Sequence, residues 1–145
     1  MKNVRRVFTP GNFRLEVRRT RTGLGLVTLD AIPRGACVIE YTGRPATPAE
    51  QKANTAKYLF WTSDTTMING NVRSNTARYI NHACRPNCEV DLKNRRIYIF
   101  ATRNIKAGEE LTYDYGDEYF DMLIKPKGCL CSTCMNKRPK TASRV

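Results

Sequence analysis

Residues Arg78–Cys88 read RYINHACRPNC, and this stretch contains the only histidine of the chain, His82. A single histidine cannot build a His-rich metal site. Upstream, Asn75 to Asn81 has the character of one helical turn. Downstream, Glu89 to Leu92 and Arg96 to Ala101 are β-branched and aromatic, and Lys93-Asn94-Arg95 between them reads as a hairpin connection. Two further stretches stand out on the C-terminal side: Gly108–Gly116, GEELTYDYG, and Cys129–Cys134, CLCSTC.

Further out, the same short-strand pattern continues in Phe13 to Val17, Leu24 to Leu29 and Val38 to Tyr41, with turns expected at Pro33-Arg34-Gly35 and Lys106-Ala107-Gly108. The chain therefore reads as mostly β. The best helix start is Thr47-Pro48-Ala49-Glu50, where threonine caps, proline takes the first helical position and glutamate completes a capping box. No repeats, low-complexity tracts or interdomain linkers are apparent, and residues 137–145 read as a flexible basic tail.

A length of 145 residues fits one domain with a modest core. The N-terminal sequence MKNVRRVFTP has no apolar stretch of signal-peptide type, so the cysteines are expected to be reduced and the protein intracellular, either cytoplasmic or, in a eukaryote or a host cell, nuclear and on chromatin. No apolar run reaches the roughly 20 residues of a membrane span, so no membrane partner is expected. The formal charge is +12, from 25 lysines and arginines against 13 acids. Basic residues gather toward the ends, with Arg14, Arg18, Arg19 and Arg21 early and Lys137, Arg138 and Lys140 late, a distribution that attracts polyanions. Six of the thirteen acids, Glu109, Glu110, Asp114, Asp117, Glu118 and Asp121, fall together. They are either a solvated turn or a dock for a lysine- or arginine-rich partner.

The three motifs, in this order and at these separations, resemble the SET-domain protein lysine methyltransferases that carry a short post-SET zinc-binding segment, most like the small bacterial members. The resemblance implies a SET fold (β-clip) of several small curved sheets with few short helices and a knot-like C-terminal threading. It divides the chain into a SET domain over 1–124, with core motifs from about residue 13, a post-SET zinc segment over 125–136, and the tail. It further implies transfer of a methyl group from S-adenosylmethionine to the ε-amine of a lysine in a protein or peptide. Tyr115 matches the active-site tyrosine, Tyr41 a second hydroxyl of the lysine channel, and Phe60 its wall. Tyr113 falls where a phenylalanine or tyrosine governs how many methyl groups fit, and tyrosine there implies mainly monomethylation.

By the same resemblance the cofactor contacts are Thr22, Gly23, Leu24, Gly25, Tyr58, Arg78, Asn81, His82, Tyr115, Tyr119 and Leu130. The Gly23-Leu24-Gly25 triplet also reads, from its glycines, as a tight turn between strands. One structural zinc would be held by Cys84, Cys129, Cys131 and Cys134. Only two residues separate the last two cysteines where the family more often has four, which leaves Cys88 as an alternative ligand, while Cys37 reads as a buried strand residue. A competing reading is a zinc-stabilised, non-catalytic nucleic-acid- or chromatin-binding module of the same fold. It accounts for the charge but not for the company of Asn81, His82, Tyr113 and Tyr115. A secondary nucleic-acid contact through the basic ends is compatible with either. Substrate identity and oligomeric state are not legible.

Overall fold

The computed structural model describes residues 6–21, 23–53 and 58–116. In chain order the strands are β1 (Leu15–Thr20), β2 (Gly23–Thr28), β3 (Cys37–Tyr41), β4 (Arg44–Pro45), β5 (Leu59–Trp61), β6 (Met67–Asn69), β7 (Asn81–His82), β8 (Cys88–Lys93), β9 (Arg96–Ala101) and β10 (Thr112–Tyr113). One helix, α1 (Pro48–Ala53), lies between β4 and β5, and one 3-10 turn, Thr76–Tyr79, precedes β7. The expectation of a mostly β chain built of small sheets holds. The strands form an antiparallel β1-β2 hairpin, a three-stranded sheet in the order β3-β9-β8, a second three-stranded sheet in the order β4-β6-β5, and a parallel pair of β7 with β10.

Local chemistry explains the connections. Asn94 and Arg95 both have positive φ, 53° and 63°, and Lys93 pairs with Arg96 across them. This is a two-residue hairpin turn whose twist matches that of the strands. Helix α1 opens on the expected capping box, with the Glu50 amide donating to Thr47 Oγ1 at 3.2 Å and the Thr47 amide donating to Glu50 Oε1 at 2.8 Å. The same Glu50 carboxylate receives Arg44 Nη2 and Asn69 Nδ2, each at 2.9 Å, and so fastens the helix to β4 and β6. The helical turn expected over 75–81 is shorter, ending at Tyr79 because Ile80 is extended and Asn81 enters a strand.

The two turns expected at Pro33-Arg34-Gly35 and Lys106-Ala107-Gly108 form and share one backbone pattern. Ile32 and Ile105 exchange both backbone hydrogen bonds at 2.8 Å, and each begins a turn closed three residues later, Ala36 N to Pro33 O and Glu109 N to Lys106 O, both at 3.1 Å. Each turn carries a left-handed glycine, Gly35 at φ 87° and Gly108 at φ 95°. The isoleucine and the glycine are common to the two turns. Their apolar neighbours Leu26, Ile80, Ile97, Ile99 and Leu111 are fully buried and join Tyr41 and Tyr113 in the main core.

A smaller core lies on the other side of the β3-β9-β8 sheet. Phe8 sits edge-on to Tyr98 and Phe100 at 5.4 and 5.1 Å. Arg6 lies 4.2 Å over the Phe100 ring, pairs with Glu89, and pairs with Asp91 at 2.9 Å. The Gly11 amide donates to the Cys37 carbonyl at 3.0 Å, so residues 6–13 run as a strap across this face.

Candidate active site

Four of the sequence-derived site residues form a continuous aromatic row. Tyr41 at the end of β3 meets Phe60 of β5 edge-on at 4.6 Å, Phe60 lies 6.2 Å from Tyr113 of β10, and Tyr113 lies 4.9 Å from Tyr115. Tyr41 and Tyr113 are 2% and 4% exposed, whereas Phe60 and Tyr115 are half-buried, so buried and half-buried rings alternate along the row. Burial pushes the Tyr41 phenol well above the ordinary tyrosine range, against a smaller downward pull from Arg78, so its hydroxyl remains a donor. That hydroxyl donates to the Tyr58 carbonyl at 3.4 Å.

The parallel β7-β10 pair brings the two central motifs together, with Asn81 opposite Thr112 and His82 opposite Tyr113. The Tyr115 hydroxyl donates to the Ile80 carbonyl at 2.6 Å and its amide donates to His82 Nδ1 at 3.1 Å. An Nδ1 that accepts carries no proton, so the neutral imidazole has its hydrogen on Nε2, which faces Cys84 Sγ at 3.5 Å. Burial lowers the His82 pKa, opposed by the Asp114 carboxylate 3.8 Å from Nδ1. Both ring nitrogens thus face protein groups, Nδ1 the Tyr115 amide and Nε2 the Cys84 sulfur.

Asn87, within the quoted motif but assigned no role from sequence, is 4% exposed. Its Nδ2 donates to the Glu110 carbonyl and its Oδ1 accepts from the Thr112 amide, both at 2.9 Å. The side chain thus holds the start of β10 against the turn that follows Cys84. Glu110 was likewise read only as part of an acidic group, yet its Oε2 accepts from Asn81 Nδ2 at 2.8 Å. Nothing in the sequence marked either residue for these roles.

Around the expected cofactor contacts, Asn81 Nδ2 also donates to the Leu24 carbonyl at 2.9 Å, linking β2 to β7. The glycine triplet is not a turn, as expected, but the first half of strand β2. Only Gly23, at φ 114°, needs glycine's backbone freedom, while a Cβ at Gly25 would collide with the Glu110 carboxylate. Leu24 is 52% exposed beside it. Arg78 stacks its guanidinium 4.3 Å from the Tyr79 ring, and its Nε is buried without a hydrogen-bond partner among the described residues. Tyr58 is placed on the Tyr41 side, its carbonyl also receiving the Gly70 amide at 2.8 Å. Thr22, Tyr119 and Leu130 lie outside the described residues.

Of the expected zinc ligands only Cys84 is described, partly exposed beside His82; Cys129, Cys131 and Cys134 lie outside the described residues, as do the post-SET segment and the tail. Cys88, the alternative ligand, is 1% exposed within β8, and burial pushes its thiol up to about 12. Cys37 is buried on a strand as expected. The described acids are largely committed within the fold. Glu109 pairs with Arg103 at 3.2 Å, Glu110 holds Asn81, and Asp114 Oδ1 accepts from the Gly116 amide at 2.9 Å.

Residues 23–116 match the SET domain, and the chain belongs to this family. Over 104 residues, 63% of this chain and 7% of the relative, it is 38% identical to a histone-lysine N-methyltransferase, H3 lysine-4 specific, of Mycosarcoma maydis. It is 34% identical to histone-lysine N-methyltransferase EHMT1 of Homo sapiens over 90% of this chain and 11% of the relative. With histone-lysine N-methyltransferase trithorax of Drosophila virilis the identity is 38% over 77% of this chain and 3% of the relative. The chain thus spans about a tenth or less of the length of these relatives.

Proposed function

We propose that this chain is a protein-lysine N-methyltransferase that moves a methyl group from S-adenosylmethionine to the ε-amine of a lysine, mainly once per lysine. The observation that carries this reading is the aromatic row from Tyr41 through Phe60 and Tyr113 to Tyr115, ending beside Asn81 and His82. The names of the relatives, all histone-lysine N-methyltransferases, support the same reaction.

S-adenosylmethionine supplies, when bound, an electrophilic methyl carbon on a sulfonium. The residues present suit such a ligand, since the buried Arg78 Nε is a donor without a partner among the described residues, and Gly23, with open space beside it, and half-exposed Leu24 lie at the end of the hairpin. Displacement needs a neutral amine, whereas free lysine has a pKa near 10.4, so the apolar walls of Tyr41, Phe60 and Tyr113 act by making the charged form costly. The hydroxyl proton of Tyr115 goes to the Ile80 carbonyl, which turns oxygen lone pairs toward the end of the row, where they can accept from the amine and from the transferring carbon. Tyr113 places a second hydroxyl-bearing ring 4.9 Å from Tyr115, and the crowding it causes is the basis for a single methylation. Cys84, with an imidazole N–H directed at its sulfur, suits a thiolate ligand, and in this reading it joins Cys129, Cys131 and Cys134 around one structural zinc.

The substrate in this reading is a lysine within a basic protein segment, a histone tail being the first candidate from the relatives' names, in a reducing intracellular compartment. The test is incubation with labelled S-adenosylmethionine and a cell lysate, followed by mass spectrometry of labelled lysines. Tyr115→Phe should lose labelling and Tyr113→Phe should shift the product toward dimethyl-lysine. Equal labelling by the Tyr115 variant would refute the reading. The +12 charge favours a secondary nucleic-acid contact as well, and salt-sensitive binding of nucleic acid without any cofactor affinity would support the non-catalytic alternative instead.

A further inference from the structure

Asn75 is 1% exposed and precedes the 3-10 turn. Its side chain closes a circuit. Oδ1 accepts from the Thr42 amide at 3.1 Å, and Nδ2 donates to the Gly70 carbonyl at 2.9 Å. Because the first partner is a donor and the second an acceptor, the amide orientation is fixed by chemistry alone. The Gly70 amide donates to the Tyr58 carbonyl at 2.8 Å, and that carbonyl also receives the Tyr41 hydroxyl at 3.4 Å. Thr42 follows Tyr41 in the chain, so the circuit returns to where it began. One buried amide therefore sets both the backbone from which Tyr41 projects and the acceptor to which its hydroxyl points.

We infer that Asn75 is a positioning residue that fixes the direction of the Tyr41 hydroxyl, and through it the approach of the substrate amine. This rests on the reading of Tyr41 as a channel residue. A buried amide with both ends satisfied is costly to disturb, because each lost partner is left dry. Asn75→Asp separates the two arms. It keeps an acceptor for the Thr42 amide and puts an oxygen against the Gly70 carbonyl, at unchanged volume.

Kinetics of wild type, Asn75→Asp, Asn75→Ala, Tyr41→Phe and the Asn75→Ala/Tyr41→Phe double variant test the inference. The single Asn75 variants should lower kcat by about tenfold with KM within about twofold, and should alter the ratio of mono- to dimethyl-lysine. In the Tyr41→Phe background, Asn75→Ala should change kcat by less than about twofold, since the group it orients is gone. Full additivity of the two substitutions would overturn the inference. Hydrogen exchange in the wild type gives a readout that survives misfolded variants or an inactive enzyme. The Thr42 and Gly70 amides should exchange at least about a hundredfold more slowly than neighbouring loop amides, and exchange at loop rates would overturn the circuit itself. Slow exchange in a protein without methyltransferase activity would refute the functional reading of Tyr41 and leave the circuit standing.

Discussion

Truncating Asn87 to alanine would remove the partner of both the Glu110 carbonyl and the Thr112 amide at a part-buried position. The expected loss is about 2 kcal/mol in chemical denaturation, because two dry backbone groups lose their bonds. Asn87→Asp, which keeps the acceptor, should lose less than the alanine variant. An equal loss in both would show that the acceptor arm contributes nothing. At this scale the sequence was informative about chemistry and poor about support. Tyr41, Phe60, Tyr113 and Tyr115 were legible because their motifs are distinctive, and they do meet. Asn75, Asn87 and Glu110 went unassigned because an asparagine or a glutamate in a turn looks the same whether it is solvated or holding two strands together.

Among the elements, the β8-β9 hairpin carries an avoidable cost. Arg95 has φ 63° in a turn that favours glycine at its second position. Arg95→Gly relieves left-handed strain of about 1–2 kcal/mol and adds backbone entropy to the unfolded chain, for a net gain of about 0.5 kcal/mol that thermal unfolding would detect as a higher Tm. Helix α1 depends on pH through Glu50, whose carboxyl is held down to about 2 by Arg44 first and then by the Thr47 amide, from an ordinary value of 4.5. A depressed carboxyl gives its stabilisation above 4.5 and loses it as pH falls toward 2. Acid titration of the wild type should therefore loosen this helix in that interval, and Glu50→Gln should remove that part of the pH dependence. Unchanged acid unfolding in the variant would exclude Glu50 as the cause. The capping box and the long alternating strands were readable because their signals are local. The strands β4, β5, β6, β7 and β10 were not, because two or three residues are too few to show alternation, and the glycine triplet was misread as the turn because it begins the strand immediately after it.

For the molecule as a whole, the site draws residues from β2, β3, β5, β7 and β10, so its geometry is a property of the complete fold and not of any one segment. If Cys84 anchors the C-terminal cysteines through zinc, metal analysis should give one zinc per chain, and a strong chelator should weaken binding of S-adenosylmethionine measured by calorimetry. Cys84→Ser should do the same without chelator, whereas Cys88→Ser should leave the zinc content at one. Retention of full zinc by the Cys84 variant would exclude it as a ligand. The strap over residues 6–13 carries a different kind of consequence. Phe8 and Arg6 lie against the rings of Tyr98 and Phe100 on the outer face of this sheet. A polypeptide started after residue 13 would keep every residue of the aromatic row, yet present a sticky aromatic plane to its neighbours in solution, and its failure in the test tube would be clumping at high concentration and not a loss of chemistry.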